Sequence, residues 1–193
     1  MGVAFSKSLF QSGLPPRSML QELKQSDNDN GRRRIGEGRS AEVYMVKYKS
    51  NTRQLFKMSL KVVAVKCFRD DPNHIKWQNE LRILRELDHP NVIKVVCQYE
   101  GADYNAIVFP CAAKGNLRDH LSGSIPDHRI AKHFPHIERL SMERRMKIAI
   151  KIAKAVSYLH KKSIIHGDIK SENVLIDKGK FIYHLMSIAL VFC

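Results

Sequence analysis

Two glycines, Gly36 and Gly38, stand just ahead of a β-branched and aromatic run, Val43, Tyr44, Met45, Val46 and Tyr48. Glycines at this spacing serve dinucleotide sites, phosphate loops and ordinary turns alike, so the residues after them decide between folds. A dinucleotide-binding fold needs a helix opening directly after the glycines, whereas residues 43–48 read as a returning strand. The expectation is a β-hairpin with the glycines at its tip. Such a tip is either a plain turn or a place where bare backbone N–H groups cover a phosphate, and the glycines alone leave both open. Ala41, third in the spacing, still permits close approach.

Downstream, the polar stretch from Lys49 to Arg53 reads as a connection, and Leu60 to Phe68 as a strand around Val62-Val63-Ala64-Val65. A helix fits Ile75 to Leu87, with Trp77, Leu81, Leu84 and Asp88 on one stripe, stopped by His89-Pro90-Asn91. Further strands are expected at Val92 to Cys97 and Ala106 to Phe109, then a short helix opened by Lys114-Gly115-Asn116 and running to Leu121. Ser141 is a good N-cap for a long helix to His160. That helix carries two apolar rows, Met146-Ile150-Ala153 and Ile148-Ile152-Ala155-Leu159. Ile164-Ile165-His166 and Val174-Leu175-Ile176 are short extended pieces around a polar loop.

Composition removes several classes. The 193 residues are 44% hydrophobic and 27% charged, enough for a packed core, and no apolar stretch approaches the roughly 20 residues of a spanning helix. The N-terminus lacks the long apolar core of a secretory signal. Four cysteines, Cys67, Cys97, Cys111 and Cys193, lie far apart without a CxxC pair, which fits free thiols in a reducing cytosol. Lys and Arg number 33 against 19 acidic residues, a formal charge of +14. The basic residues are scattered and lack interleaved aromatic platforms, so no specific nucleic-acid partner is expected. His128, His133 and His136 lack the cysteine or acidic spacing of a metal site.

Three elements carry chemistry. Lys66 ends the apolar strand and must either snorkel to water or meet an anion. Glu80, at the edge of the helical stripe, is one partner for it; the other reading pairs Glu80 with Lys76 as an ordinary i,i+4 surface pair. The loop His166-Gly167-Asp168-Ile169-Lys170-Ser171-Glu172-Asn173 sets a carboxylate, an ammonium and an amide within six residues. That set suits phosphoryl transfer: a carboxylate for a hydroxyl proton, a lysine for the moving charge and an amide oxygen for a metal.

Taken in order, these pieces resemble the protein kinase family, serine/threonine type, and most of all its tyrosine-kinase-like group. The glycine loop is Ile35-Gly36-Glu37-Gly38-Arg39-Ser40-Ala41-Glu42-Val43, followed by Val63-Ala64-Val65-Lys66, by Glu80 through His89-Pro90-Asn91-Val92-Ile93, by Ala106 to Ala112, and by Asp168-Ile169-Lys170-Ser171-x-Asn173. The resemblance covers roughly Arg33 to Asp177. It implies an α+β, kinase-like fold: a five-stranded N-terminal lobe with helix C, and an incomplete helical C-terminal lobe. The boundaries it implies are 1–32 for a flexible extension, 33–112 for the N-lobe and hinge, 113–178 for a partial C-lobe and 179–193 for a divergent apolar tail. It also implies ATP and Mg²⁺ as ligands and a protein substrate or signalling partner. Gly36, Gly38, Val43 and Ala64 would line the nucleotide, Lys66 would hold its α/β-phosphates and Glu80 would hold Lys66. Phe109 would stand at the gatekeeper position, with adenine met by the Pro110 carbonyl and the Ala112 N–H. Asp168 would be the base, Lys170 would contact the γ-phosphate and Asn173 would ligate the second metal.

The pattern departs from the family in two places. Gly167 replaces the arginine that pairs with a phosphorylated activation loop, so that mode of control is expected to be missing. Beyond Asp177 there is no aspartate or glutamate, so the family's Asp-Phe-Gly metal ligand has no counterpart, and a catalytically inactive, truncated fragment that binds nucleotide or a partner is the alternative expectation. Gly2 with Ser6 fits an N-myristoylation pattern, and Lys7, Arg17 and Arg32 to Arg34 could add electrostatic attraction to an acidic leaflet. A cytoplasmic protein is expected, held peripherally at the inner membrane surface where Gly2 carries the lipid.

Overall fold

The computed structural model describes residues 32–37, 41–51, 58–68, 75–101, 104–112, 114–123, 139–176, 184–185 and 191–192. Gly2, Ser6, Gly38, the histidines at 128, 133 and 136, and Asp177 lie outside the described residues, as does most of the tail. The described chain divides into two compact units, one built from residues up to Trp77 with Val95–Cys111, the other from Gln78–Lys94 with the residues from Ala112 onward.

The first unit is an antiparallel sheet of five strands: β1 (Arg32–Glu37), β2 (Glu42–Asn51), β3 (Met58–Phe68), β4 (Cys97–Glu100) and β5 (Asn105–Pro110), in spatial order β1-β2-β3-β5-β4. The expected hairpin is β1–β2, with a shift in register between Arg34 and Gly36; Gly36 lies within β1 opposite Val43 rather than at the tip, and Gly38 lies outside the described residues. Strand alternation sorts the side chains. Tyr44, Val46, Val63, Val65, Cys67, Cys97, Ala106 and Val108 form one apolar cluster, with Val46, Val65, Ala106 and Val108 fully buried. Burying each large side chain of this kind contributes roughly 1.5–3 kcal/mol.

Several boundaries differ from the sequence expectations. β2 runs on through Lys49, Ser50 and Asn51, because a ladder needs only backbone partners, here Leu60, Ser59 and Met58. The expected strand at Val92–Cys97 is instead a single bridge residue and an irregular stretch, and β4 begins at Cys97. Val92, the bridge residue, and Ile93 are both buried, and that burial accounts for the apolar run without a continuous strand. Helix α1 (Ile75–Glu86) ends before Asp88, which is exposed and not part of the apolar stripe.

In the second unit, α2 (Leu117–Ser122) starts three residues later than expected, because Asn116 is its N-cap, accepting from the Asp119 N–H at 3.1 Å. It ends at Gly123, whose φ of 65° is the left-handed conformation that glycine adopts without strain. Helix α3 (Met142–Lys161) is capped by Ser141, as the sequence implies. Of its two apolar rows, Ile148, Ala155 and Leu159 are buried, while Met146 and Ile150 are about half exposed. Tyr158 of α3 stacks on His89 at 5.0 Å between ring centroids, and its hydroxyl accepts from the Asp88 N–H at 2.8 Å. These contacts fasten the turn after α1. The strand pairs β6 (Ile164–Ile165) with β9 (Val191–Phe192), and β7 (Val174–Leu175) with β8 (His184–Leu185), bring two short pieces of the C-terminal stretch into register.

Candidate functional site

Register places the first group of candidate residues. Val43 on β2 lies opposite Lys66 on β3, which lies opposite Ile107 on β5, and Ala64 lies opposite Phe109. Directly opposed residues share a face of the sheet, so Val43, Ala64, Lys66 and Phe109 stand together on the face opposite the apolar cluster. Lys66 is only 9% exposed, with its ammonium 5.0 Å from the centroid of the Phe68 ring. Exposure this low is not that of a lysine snorkelling into water. Phe109 is fully buried, Pro110 lies opposite Val63, and Ala112 is buried at the start of the second unit. A Cβ built on Gly36 would meet only Val43, at 3.5 Å, an ordinary contact. Packing inside the sheet therefore does not require glycine there, which leaves its bare backbone open to another explanation. Glu80, in the second unit, is 7% exposed, which speaks against a surface pair with Lys76.

The second group lies on one loop, between β6 and β7. The Asn173 side-chain amide donates to both the backbone carbonyl and Oδ2 of Asp168, each at 2.8 Å, and the Lys170 ammonium lies 3.0 Å from the same Oδ2. A 3-10 turn (Ser171–Asn173), closed by the Asn173 N–H on the Lys170 carbonyl at 3.0 Å, brings the three residues together. The Lys170 hydrogen bond is the largest influence and holds the Asp168 carboxyl below its ordinary range; burial opposes it, and the Asn173 amide adds a further lowering. Asp168 is thus an ionised acceptor at neutral pH. Gly167 has φ of 74°, so the residue that departs from the family pattern occupies a backbone conformation suited to glycine.

The sequence reading missed the supports of this loop. His166 is 2% exposed, and its Nδ1 accepts from the Asp168 N–H at 3.2 Å. Arg118 of α2 pairs with Glu172, whose other oxygen accepts from the Ser171 hydroxyl at 3.0 Å. The run of polar residues between Gly167 and Asn173 gave no sign of which would be bound from outside the loop. Among the described residues no three His, Cys, Asp or Glu side chains cluster as a metal site, and no helix is long and apolar enough to cross a membrane.

A family model for protein tyrosine and serine/threonine kinases matches residues 30–185. The chain is 30% identical over 162 residues to interleukin-1 receptor-associated kinase-like 2 of Bos taurus, covering 84% of this chain and 24% of that protein. It is 34% identical over 149 residues to calmodulin-binding receptor-like cytoplasmic kinase 1 of Arabidopsis thaliana, covering 74% of this chain and 27% of the relative. Against salt tolerance receptor-like cytoplasmic kinase 1 of Oryza sativa subsp. japonica, identity is 32% over 146 residues, 74% of this chain and 37% of the relative. The chain thus spans between about a quarter and two fifths of the length of these relatives. With the five-stranded sheet, these matches mean that the chain belongs to the protein tyrosine and serine/threonine kinase family, on the side of its tyrosine-kinase-like group.

Proposed function

We propose that the chain takes part in ATP-dependent phosphoryl transfer to serine or threonine of protein substrates. The first unit would hold the nucleotide: Gly36 and Gly38 over the phosphates, Val43 and Ala64 against the adenine, Lys66 on the α/β-phosphates, and Phe109 with Pro110 beside the base. Ala112 would offer the adenine its N–H. The second unit would carry the transfer, with Asp168 accepting or orienting the hydroxyl proton and Lys170 following the charge of the γ-phosphoryl group. The observation that carries this reading is the fixing of an ionised Asp168 by Lys170 and Asn173 on one short turn. A carboxylate preset in this way needs no reorganisation at the moment of transfer.

Mg²⁺ fits the loop in part. Asn173 spends its Nδ2 on Asp168, leaving its amide oxygen as a hard donor suited to this ion. Bound there, Mg²⁺ would offset the negative charge of the phosphates. A second reading, nucleotide binding without transfer, is favoured by one observation: residues 178–193 contain no carboxylate side chain to serve as the family's principal metal ligand.

Radiolabelled Mg·ATP with a serine- and threonine-rich protein acceptor separates the two. Label reaching the acceptor with the native chain, and lost in Asp168→Ala, supports transfer. Absence of label together with saturable ATP binding supports the second reading, and absence of both overturns each.

A further inference from the structure

Beyond the loop itself, α2 and the turn before it form a brace. His120 is 2% exposed and its Nε2 lies 2.8 Å from the Lys114 carbonyl oxygen. A carbonyl oxygen can only accept, so that nitrogen carries a proton and donates. The bond fixes the turn 114–116, and this turn is the backbone partner of the segment that leaves the loop. The Lys114 N–H donates to the Ile176 carbonyl at 3.0 Å, the Ile176 N–H donates to the Gly115 carbonyl at 2.8 Å, and Asn116 bridges Leu175. Asn173 lies two residues before Leu175, and its amide is what binds Asp168. The same helix reaches the loop a second time, through Arg118 to Glu172. That ion pair is largely exposed and contributes little. The His120 bond is partly buried, and losing it would leave the Lys114 carbonyl without its donor.

We propose that His120 is a positioning residue for the Asp168–Asn173 loop: by donating to the Lys114 carbonyl it sets the turn that anchors residues 175–176, and so holds the Asn173 amide against Asp168. Its relevance to catalysis rests on the proposed function; its geometric content does not. Periodicity gives no sign of the brace, because α2 is only six residues long.

The test follows the Asn173 side-chain amide protons in ¹H–¹⁵N spectra of the full chain, assigned by their loss in Asn173→Ser. Three variants are compared: His120→Leu, His120→Gln, whose amide can donate to the same carbonyl, and Leu159→Ala, a core truncation in α3 that destabilises without touching the brace. The native chain should show both protons dispersed and slow to exchange. In His120→Leu they should move toward free-amide positions and exchange at least tenfold faster, His120→Gln should restore most of the difference, and Leu159→Ala should leave them in place. Should His120→Leu fail to fold, His120→Asn, whose shorter side chain withdraws the donor, carries the same expectation. Unmoved Asn173 signals in a folded His120 variant, or equal movement in Leu159→Ala, would overturn the proposal. Because no step reads phosphoryl transfer, failure of the proposed function would leave this result unaffected.

Discussion

Asn173 binds Asp168 twice, its one side-chain nitrogen donating at 2.8 Å to the aspartate's backbone carbonyl and at 2.8 Å to its carboxylate. The bonds close a six-residue span on itself, and Lys170 completes it with a charge 3.0 Å from the same oxygen. The loop's electrostatics follow from this small ring of contacts.

Its titration is the first consequence. The carboxyl of Asp168 is lowered chiefly by the Lys170 hydrogen bond and next by Asn173. A depressed carboxylate adds stability at pH values above the ordinary aspartate value near 3.9, and loses it as pH falls through its lower folded value. Carbon-detected NMR of the side-chain carboxyl should give a midpoint below 3.9 for the native chain, raised in Lys170→Ala more than in Asn173→Ala. A native midpoint at or above 3.9 would contradict the assignment.

His166 should behave in the opposite pH range. Burial, only partly offset by the charge of Asp168, lowers its pKa from the usual 6.5. Its Nδ1 accepts a hydrogen bond from the Asp168 N–H, so the ring is neutral with its proton on Nε2. That Nε2 is buried and, among the described residues, meets no hydrogen-bond partner. Between the lower folded value and 6.5 the unfolded chain binds more protons than the folded one, so stability should fall as pH drops through this window and level off below it. Urea titrations at a series of pH values between about 7 and 5 should show this fall, and His166→Gln should flatten it. An equal slope in the variant would assign the effect elsewhere.

Backbone strain gives a third prediction. Ser163, in the turn after α3, has φ of 57°, a left-handed conformation that costs an L-residue about 1–2 kcal/mol and glycine almost nothing. The variant Ser163→Gly should be more stable by about 1 kcal/mol, a rise of roughly 2–4 °C in Tm for a chain of this size. Differential scanning calorimetry checks it, and an unchanged or lower Tm counts against the strain.

How much of this was legible in advance differs by element. The β1–β2 hairpin, the strand carrying Lys66, and the long helix capped by Ser141 were read from local pattern, because turn chemistry, alternation and capping are local. The apolar run at Val92–Cys97 misled, since burial and strand pairing leave the same composition. Asp168, Lys170 and Asn173 were visible as a motif, and the structure shows them hydrogen-bonded to one another. The His120–Lys114 bond and the Arg118–Glu172 pair had no sequence signal, because long-range packing decides which loop a short helix meets.

Both functional readings depend on the first unit's holding ATP through Lys66, the buried lysine in register with Val43 and Ile107. Isothermal titration calorimetry of the full chain with Mg·ATP, run beside Lys66→Met, tests that dependence directly. The account expects saturable one-to-one binding by the native chain and at least a tenfold weaker affinity in the variant, about 1.4 kcal/mol. Equal affinities in the two proteins, or no binding by either, would contradict it.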